Sequence, residues 1–216
     1  MLCESFDREL RVTPKWIEWA GKMQAISQAG LTYSENPYDL DRYRQLRDLA
    51  AEIIAEHTDH DHAYVRGFLE AEVGYATPKI DVRGVVLKDK RVLLVRETVD
   101  GKWSLPGGWA ELFLTPSENV VKEIREESGY TAEAVRLLAL YDADRHDLDR
   151  SPSSFSSYKL FFLCKLTGGE PTTSIETSGA EFFAPEKLPP LSTRRVTEKQ
   201  ILRMIELAKS GETDFD

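Results

Sequence analysis

"TPSENVVKEIREESGY", residues 115–130, reads as one short helix with both of its ends written into it. Thr115 stands where an N-cap hydroxyl belongs, Pro116 fills the first helical position and Glu118 the third. Together they make a capping box with proline at its start. Gly129 supplies the left-handed residue that closes such a helix. Val120, Val121, Ile124 and Ser128 form a packing side. Glu123, Glu126 and Glu127 are related by three and four positions, so their carboxylates converge on one patch. Like charges at that spacing repel and cost stability. Either the patch is a solvated acidic face, or something positive sits against it. Hard divalent cations, which take oxygen ligands, suit such a patch.

The segment just upstream favours the cation. In "SLPGGWAE", residues 104–111, two glycines follow a proline. Backbone without side chains can approach a ligand or metal closely. From Gly108 to Tyr130 the chain resembles the signature box of Nudix hydrolases, G-x5-E-x7-R-E-U-x-E-E-x-G-U, where U is aliphatic or bulky. Gly108, Glu123, Ile124, Glu126, Glu127, Gly129 and Tyr130 fall in register. The resemblance implies an α/β fold, an α/β/α sandwich with a mixed sheet. It also implies a magnesium or manganese cofactor and hydrolysis of the pyrophosphate link in a nucleoside diphosphate derivative. Carried over by position, it makes Glu123, Glu126 and Glu127 the metal-binding carboxylates, with the Gly108 carbonyl as a further ligand and Glu126 and Glu127 in catalytic roles. A metal held there lowers the pKa of a bound water, which attacks phosphorus.

Three positions depart from the box. Leu114 stands where its first glutamate falls, Lys122 replaces the arginine, and Phe113 occupies a place where glycine is often found. In the family the glutamate and arginine support the metal-binding carboxylates. Glu118 lies four residues before Lys122 and can pair with it instead, unless the capping box occupies it fully.

The later stretch "SIETSGAEFFAPEKLPPL", residues 174–191, resembles a late segment of the family in which an acid precedes a strand reading E-aromatic-aromatic. By that match Glu176 is an extra ligand or the general base, and Glu181 starts a strand; otherwise Glu176 is an ordinary loop residue. Trp103 and Trp109 flank the paired glycines. One of them can stack on a nucleobase, while core packing is the alternative role. Arg83 and Arg96 sit on expected strands leading to the site and are candidates to hold the diphosphate or a terminal ribose. The alternative for both is a surface arginine at a strand end.

Composition divides the chain near residue 78. Residues 1–77 read as a helical region, with Trp16, Trp19, Met23 and Ile26 at helical spacing. A turn-rich break follows, then a second helix with Tyr43, Leu46, Leu49 or Ala50, and Ile53 along one face. These helices are too short to enclose a core alone and are expected to dock on the remainder or on another subunit. Residues 78–216 alternate strands and helices. "IDVRGVVL" and "RVLLVRE" form a hairpin, "AEAVRLLALYDA" and "SYKLFFLCKL" are strands, and "TEKQILRMIELAKS" is an amphipathic helix. "KWIEWAGKMQAISQAGLTYS" and "YATPKIDVRG" resemble a helical extension on one bacterial Nudix subgroup. That resemblance implies an ADP-ribose-type or CDP-choline-type substrate and a homodimer.

The totals set outer limits. The 216 residues are 41% hydrophobic and 30% charged, as in a globular domain with an appendage. No apolar run reaches membrane-spanning length, and "MLCESFDREL" lacks the basic start and apolar core of a secretory signal. Cys3 and Cys164 are too few for a disulfide framework, so a cytoplasmic protein is expected. A net charge of −9 argues against broad binding to nucleic acid or an anionic membrane. It leaves a phosphorylated substrate open, because a bound cation reverses the local sign. "EHTDHDHAY" sets His57, His60 and His62 among aspartates, as a polar helix end or a transition-metal site. His146 falls in a long polar loop, and Cys164 alternates with apolar residues as core packing does. Two other classes stay open. One is a nucleotide sensor in which Leu114 and Lys122 mark lost chemistry; the other is a hydrolase of RNA 5′ ends, which the acidic charge disfavours.

Overall fold

The structure, a computed structural model, describes residues 14–146 and 156–216. Cys3 and most of the polar loop after His146 lie outside them. The chain divides after Pro78 into two compact units.

The first unit is helical. α1 (Lys15–Tyr33), α2 (Pro37–Glu56) and α3 (His62–Glu70) follow in order. Asn36 caps α2 by accepting the Tyr38 N–H, and Asp61 caps α3 by accepting that of Tyr64. Their shared core is Ala20, Ala50, Ala51, Ile54, Val65 and Leu69, with Trp16 and Met23 packed against it. The inward face of α1 is therefore Trp16, Ala20, Met23 and Ser27, while Trp19 and Ile26 remain 57% exposed. Small residues decide this rotation. A Cβ on Gly30 would lie 2.4 Å from the Tyr43 ring, so the helices approach where side chains are least. For the same reason α2 turns Ala50 inward and leaves Leu49 exposed.

The second unit is built on a mixed sheet. β1 (Lys79–Lys88) and β2 (Arg91–Glu97) form the expected hairpin across Asp89 and Lys90, both at positive φ. β3 (Trp103–Ser104) pairs with β2. α4 (Pro116–Ser128) leads directly into β4 (Tyr130–Asp142), which continues into the short α5 (Ala143–His146). β5 (Ser157–Gly169), β6 (Thr177–Phe183), α6 (Glu198–Ser210) and β7 (Asp214–Phe215) complete it. The strand order is β3-β2-β1-β5-β4-β7, with β6 on β2. β1 and β5 run parallel, β4 and β5 antiparallel. Glu181 lies inside β6 opposite Leu94; the strand opens at Thr177.

Alternation along the strands gives the sheet two apolar faces. Val85, Leu94, Leu138 and Phe161 pack with Ile201, Met204 and Leu207 of α6. Val82, Val86, Leu93, Phe162 and Cys164 pack with Val120 and Ile124 of α4. One helix on each face makes an α/β/α sandwich. Gly84 of β1 sets how closely α4 lies, since a Cβ there would be 2.7 Å from the Ile124 side chain. Among the described residues no helix is long and apolar enough to cross a membrane.

Candidate active site

The ends of α4 are those its sequence specifies. Thr115 and Glu118 complete the capping box, and Gly129 closes the helix at φ 76°. The packing side, however, includes two polar residues. Asn119 and Glu127 are buried beside Val120, Ile124 and Ser128. Asn119 accepts the Glu111 N–H (2.8 Å) and donates to the Leu114 carbonyl (3.3 Å), binding the preceding loop to the helix. That loop passes through Phe113, which adopts φ 66° and is fully exposed. A left-handed backbone is where glycine costs least, and this is the physical content of the box position that Phe113 fills.

Glu127 points at the glycine loop. Its Oε2 accepts the Gly107 N–H at 2.8 Å. Gly107 can be nothing larger, because it sits at φ 145° and a Cβ would lie 2.0 Å from the Val82 carbonyl oxygen. Burial pushes the Glu127 carboxyl up to about 8, against the pull of Arg83 and the Gly107 N–H; Glu123 and Glu97 add repulsion. Burial likewise raises Glu123, with Lys122 and Arg83 opposing and Glu126 and Glu176 repelling it. Glu176 thus acts on Glu123. Its loop is fastened near them: the Thr177 hydroxyl donates to the Glu127 carbonyl, and Thr172 N–H donates to that of Ser128 (3.0 Å).

Among the described residues no three His, Cys, Asp or Glu side chains are gathered closely enough to hold an ion as they stand. Glu126 is drawn to Lys122 and Glu127 to Gly107. Glu123 lies beside Gly108, where a Cβ would be 3.4 Å from its Oε2. The Gly108 carbonyl accepts the Val82 N–H (2.9 Å), which occupies one of its lone pairs. The donor set nevertheless fits a hard divalent cation. Every donor is oxygen, glycine keeps space open beside Glu123, and Glu123 in turn repels Glu127.

Of the two readings of Glu118, the capping box holds: its carboxylate is taken by the Thr115 N–H and hydroxyl, and Lys122 turns elsewhere. It bridges Glu126 (2.6 Å) and Glu111 (3.0 Å) instead. Arg83 is neither a surface residue nor open to a substrate. It is 5% exposed, bidentate to Asp81 (2.8 and 3.1 Å) and donates to the Leu105 carbonyl. Alternation puts residues 81 and 83 on one strand face, which makes that pair. Its charge serves Glu127 from within. Trp103 packs edge-on against Phe183 at 4.7 Å. Trp109 stays 52% exposed. Arg96 is exposed and donates to the Gly101 carbonyl.

The histidines outside the box are engaged separately. His57 stacks on Trp16, His60 on Tyr64, and His62 meets the Asp48 carbonyl. His146 stacks on Tyr141 and approaches Asp216 at 2.7 Å. Glu111 and Asn119 are the residues that sequence reading missed. An asparagine one turn into a capped helix was the available signal for the second; nothing local marked the first.

The chain is similar to known proteins over nearly all of its length. A model described as the NUDIX domain matches residues 77–204. A second, described as a UDP-X-like, N-terminal oligomerisation domain, matches residues 14–69. The Bacillus subtilis (strain 168) protein YjhB, provisionally named an ADP-ribose pyrophosphatase, is 44% identical over 96% of this chain and 100% of its own length. The crystal structure of a UDP-X diphosphatase is 35% identical over 94% of this chain and 98% of that one, with a TM-score of 0.61. That of an ADP-ribose pyrophosphatase from Streptococcus suis 89-1591 is 39% identical over 65% and 100%, with a TM-score of 0.59.

Proposed function

The chain belongs to the NUDIX hydrolase family, and on that premise we propose that it adds water across the phosphoanhydride of a nucleoside diphosphate joined to a further group. The products are a nucleoside monophosphate and a phosphorylated remainder. ADP-ribose is the first candidate, because the Bacillus and Streptococcus relatives carry that activity in their names. A UDP-linked compound and CDP-choline are the others. The observation that carries the reading is the acidic turn of α4, where Glu127 is 5% exposed and accepts the Gly107 N–H while Glu123 lies beside Gly108. Charging a carboxyl buried there is costly unless a cation stands close to it.

Glu123, Glu126 and Glu127 hold Mg2+ or Mn2+, with the free lone pair of the Gly108 carbonyl as a further donor. A divalent cation bound there neutralises the diphosphate and makes a bound water more acidic. Glu176, whose charge repels Glu123, acts as a further ligand or takes the proton from the attacking water. Arg96 offers its guanidinium to the diphosphate, and Trp109 offers an open ring face to the base. Trp103 keeps its packing role.

The helical unit joins two copies of the chain in a homodimer. On α1, Trp19, Ile26 and Tyr33 recur every seventh residue and are 57%, 57% and 68% exposed. That is the spacing of a seam for a partner helix. Sedimentation of Ile26→Glu as a monomer, beside a dimeric wild type, is the expected result. Nothing in the reading calls for a membrane or nucleic acid, and we infer a cytoplasmic enzyme.

The test of the chemistry is hydrolysis of a panel of nucleoside diphosphate derivatives with Mg2+ or Mn2+, wild type beside Glu127→Gln. Metal-dependent turnover of one or two compounds, lost in the variant, is expected. Nucleotide binding without turnover of any compound would make the protein a sensor instead.

A further inference from the structure

Lys122 is shared between two carboxylates that arrive from different directions. Its Nζ donates to Oε2 of Glu126 at 2.6 Å, one turn further along α4. It also donates to Oε1 of Glu111 at 3.0 Å, from the loop that leads into the helix. Glu111 is no loose loop residue. Asn119, 1% exposed, accepts its N–H and donates to its carbonyl, so the backbone behind the Glu111 side chain is fixed from inside the fold. The ammonium is thereby tied at two points, to the helix and to the loop.

This arrangement bears on Glu126. An ammonium resting on one carboxylate alone neutralises it and opposes any second cation at close range. An ammonium divided between two carboxylates orients Glu126 while leaving part of its charge, and one of its oxygens, for another partner. We propose that Glu111 is a positioning residue for the metal site: acting through Lys122, it gives the ammonium a second seat and so keeps Glu126 available to a divalent cation. The proposal rests on the reading of Glu126 as a cation ligand. It accounts for the box departures in this chain's own terms, since the carboxylate missing at 114 is met from 111 and paired with a lysine.

The test is Mn2+ affinity by titration calorimetry at low ionic strength, on wild type, Glu111→Ala, Lys122→Ala, the double variant and Glu126→Gln. No substrate is needed. Glu111→Ala leaves Lys122 to close on Glu126, and Mn2+ binding weakens by about two- to fivefold, the scale of a partly exposed ion pair. In the Lys122→Ala background the same change is silent, because Glu111 has nothing to act through. The weakening in the single variant fades as salt is added. Equal weakening in both backgrounds, or none in either, overturns the proposal. So does a fall in melting temperature at unchanged Mn2+ affinity, which is what a merely structural loop contact would give. Full-strength binding by Glu126→Gln, or no binding by wild type, removes the premise itself and is distinguishable from those results.

Discussion

On α2, Asp48, Glu52 and Glu56 follow one another at four-residue intervals, as Glu123 and Glu127 do on α4. On α2 they border an open groove with Gln45, Leu49 and His62. Glu52 and Glu56 are exposed, and Asp48 meets Arg66 at 3.3 Å. Water and a surface ion pair absorb that charge, and such pairs are worth little. On α4 the same spacing turns one carboxylate into the packing side, against a glycine loop and a buried arginine. Spacing brings carboxylates together; what covers them decides whether they become chemistry.

The comparison breaks most sharply at Glu127. Glu127→Gln is expected to lower kcat/KM by about a thousandfold, within the range for loss of an acid–base or metal-site carboxylate. Glu52→Gln should leave it within experimental error, and steady-state kinetics on both variants decides. Next come the glycines. Gly107→Ala puts a methyl onto the Val82 carbonyl at a positive φ, and urea denaturation should show a loss of about 3 kcal/mol. Gly67→Ala in α3 meets nothing within 4 Å and should gain up to about 1 kcal/mol from helix propensity.

A pH series sharpens the contrast. The Glu127 carboxyl rises from 4.5 to about 8 on folding, so between those values the folded state binds the more protons. Stability of the metal-free protein should therefore be fullest below pH 4.5, as far as this group contributes, and decline as pH climbs to about 8. At pH 8 in chelator, Glu127→Gln should exceed wild type by on the order of 2 kcal/mol, with a flatter pH dependence. A less stable variant at that pH would refute the burial argument. The smallest loss of activity is expected at Trp109. Trp109→Ala should raise KM about tenfold, the scale of one lost stacking contact, while kcat and the melting temperature hold.

How much of this was legible beforehand follows from the range of each signal. The capping box, the Gly129 terminus and the β1–β2 hairpin are local, and a few adjacent residues specify each of them. The one-face reading of Leu160, Phe162, Cys164 and Leu166 held because strand alternation is strict. Helix rotation was harder. Periodicity put Trp19 and Ile26 with Trp16 and Met23, but close helix contact selects small residues, and Ala20 and Ser27 took the inner face. At the candidate site the glutamates could be read, and their environment could not. Arg83 looked like a substrate arginine until strand alternation set it on Asp81 in the interior. The capping box kept Glu118, as its local sequence allowed, but the partner that Lys122 takes, Glu111, lies eleven residues away in a loop that folds back where no period predicts it.

The most direct measurement is a Mn2+ titration followed by the EPR signal of the free ion. It would compare wild type with the triple variant Glu123→Gln, Glu126→Gln, Glu127→Gln, and with Asp48→Asn, Glu52→Gln, Glu56→Gln. Saturable binding in wild type that survives the α2 changes and vanishes with the α4 changes is the expected result. Binding that persists without the α4 carboxylates, or that disappears with those of α2, would contradict the site described here.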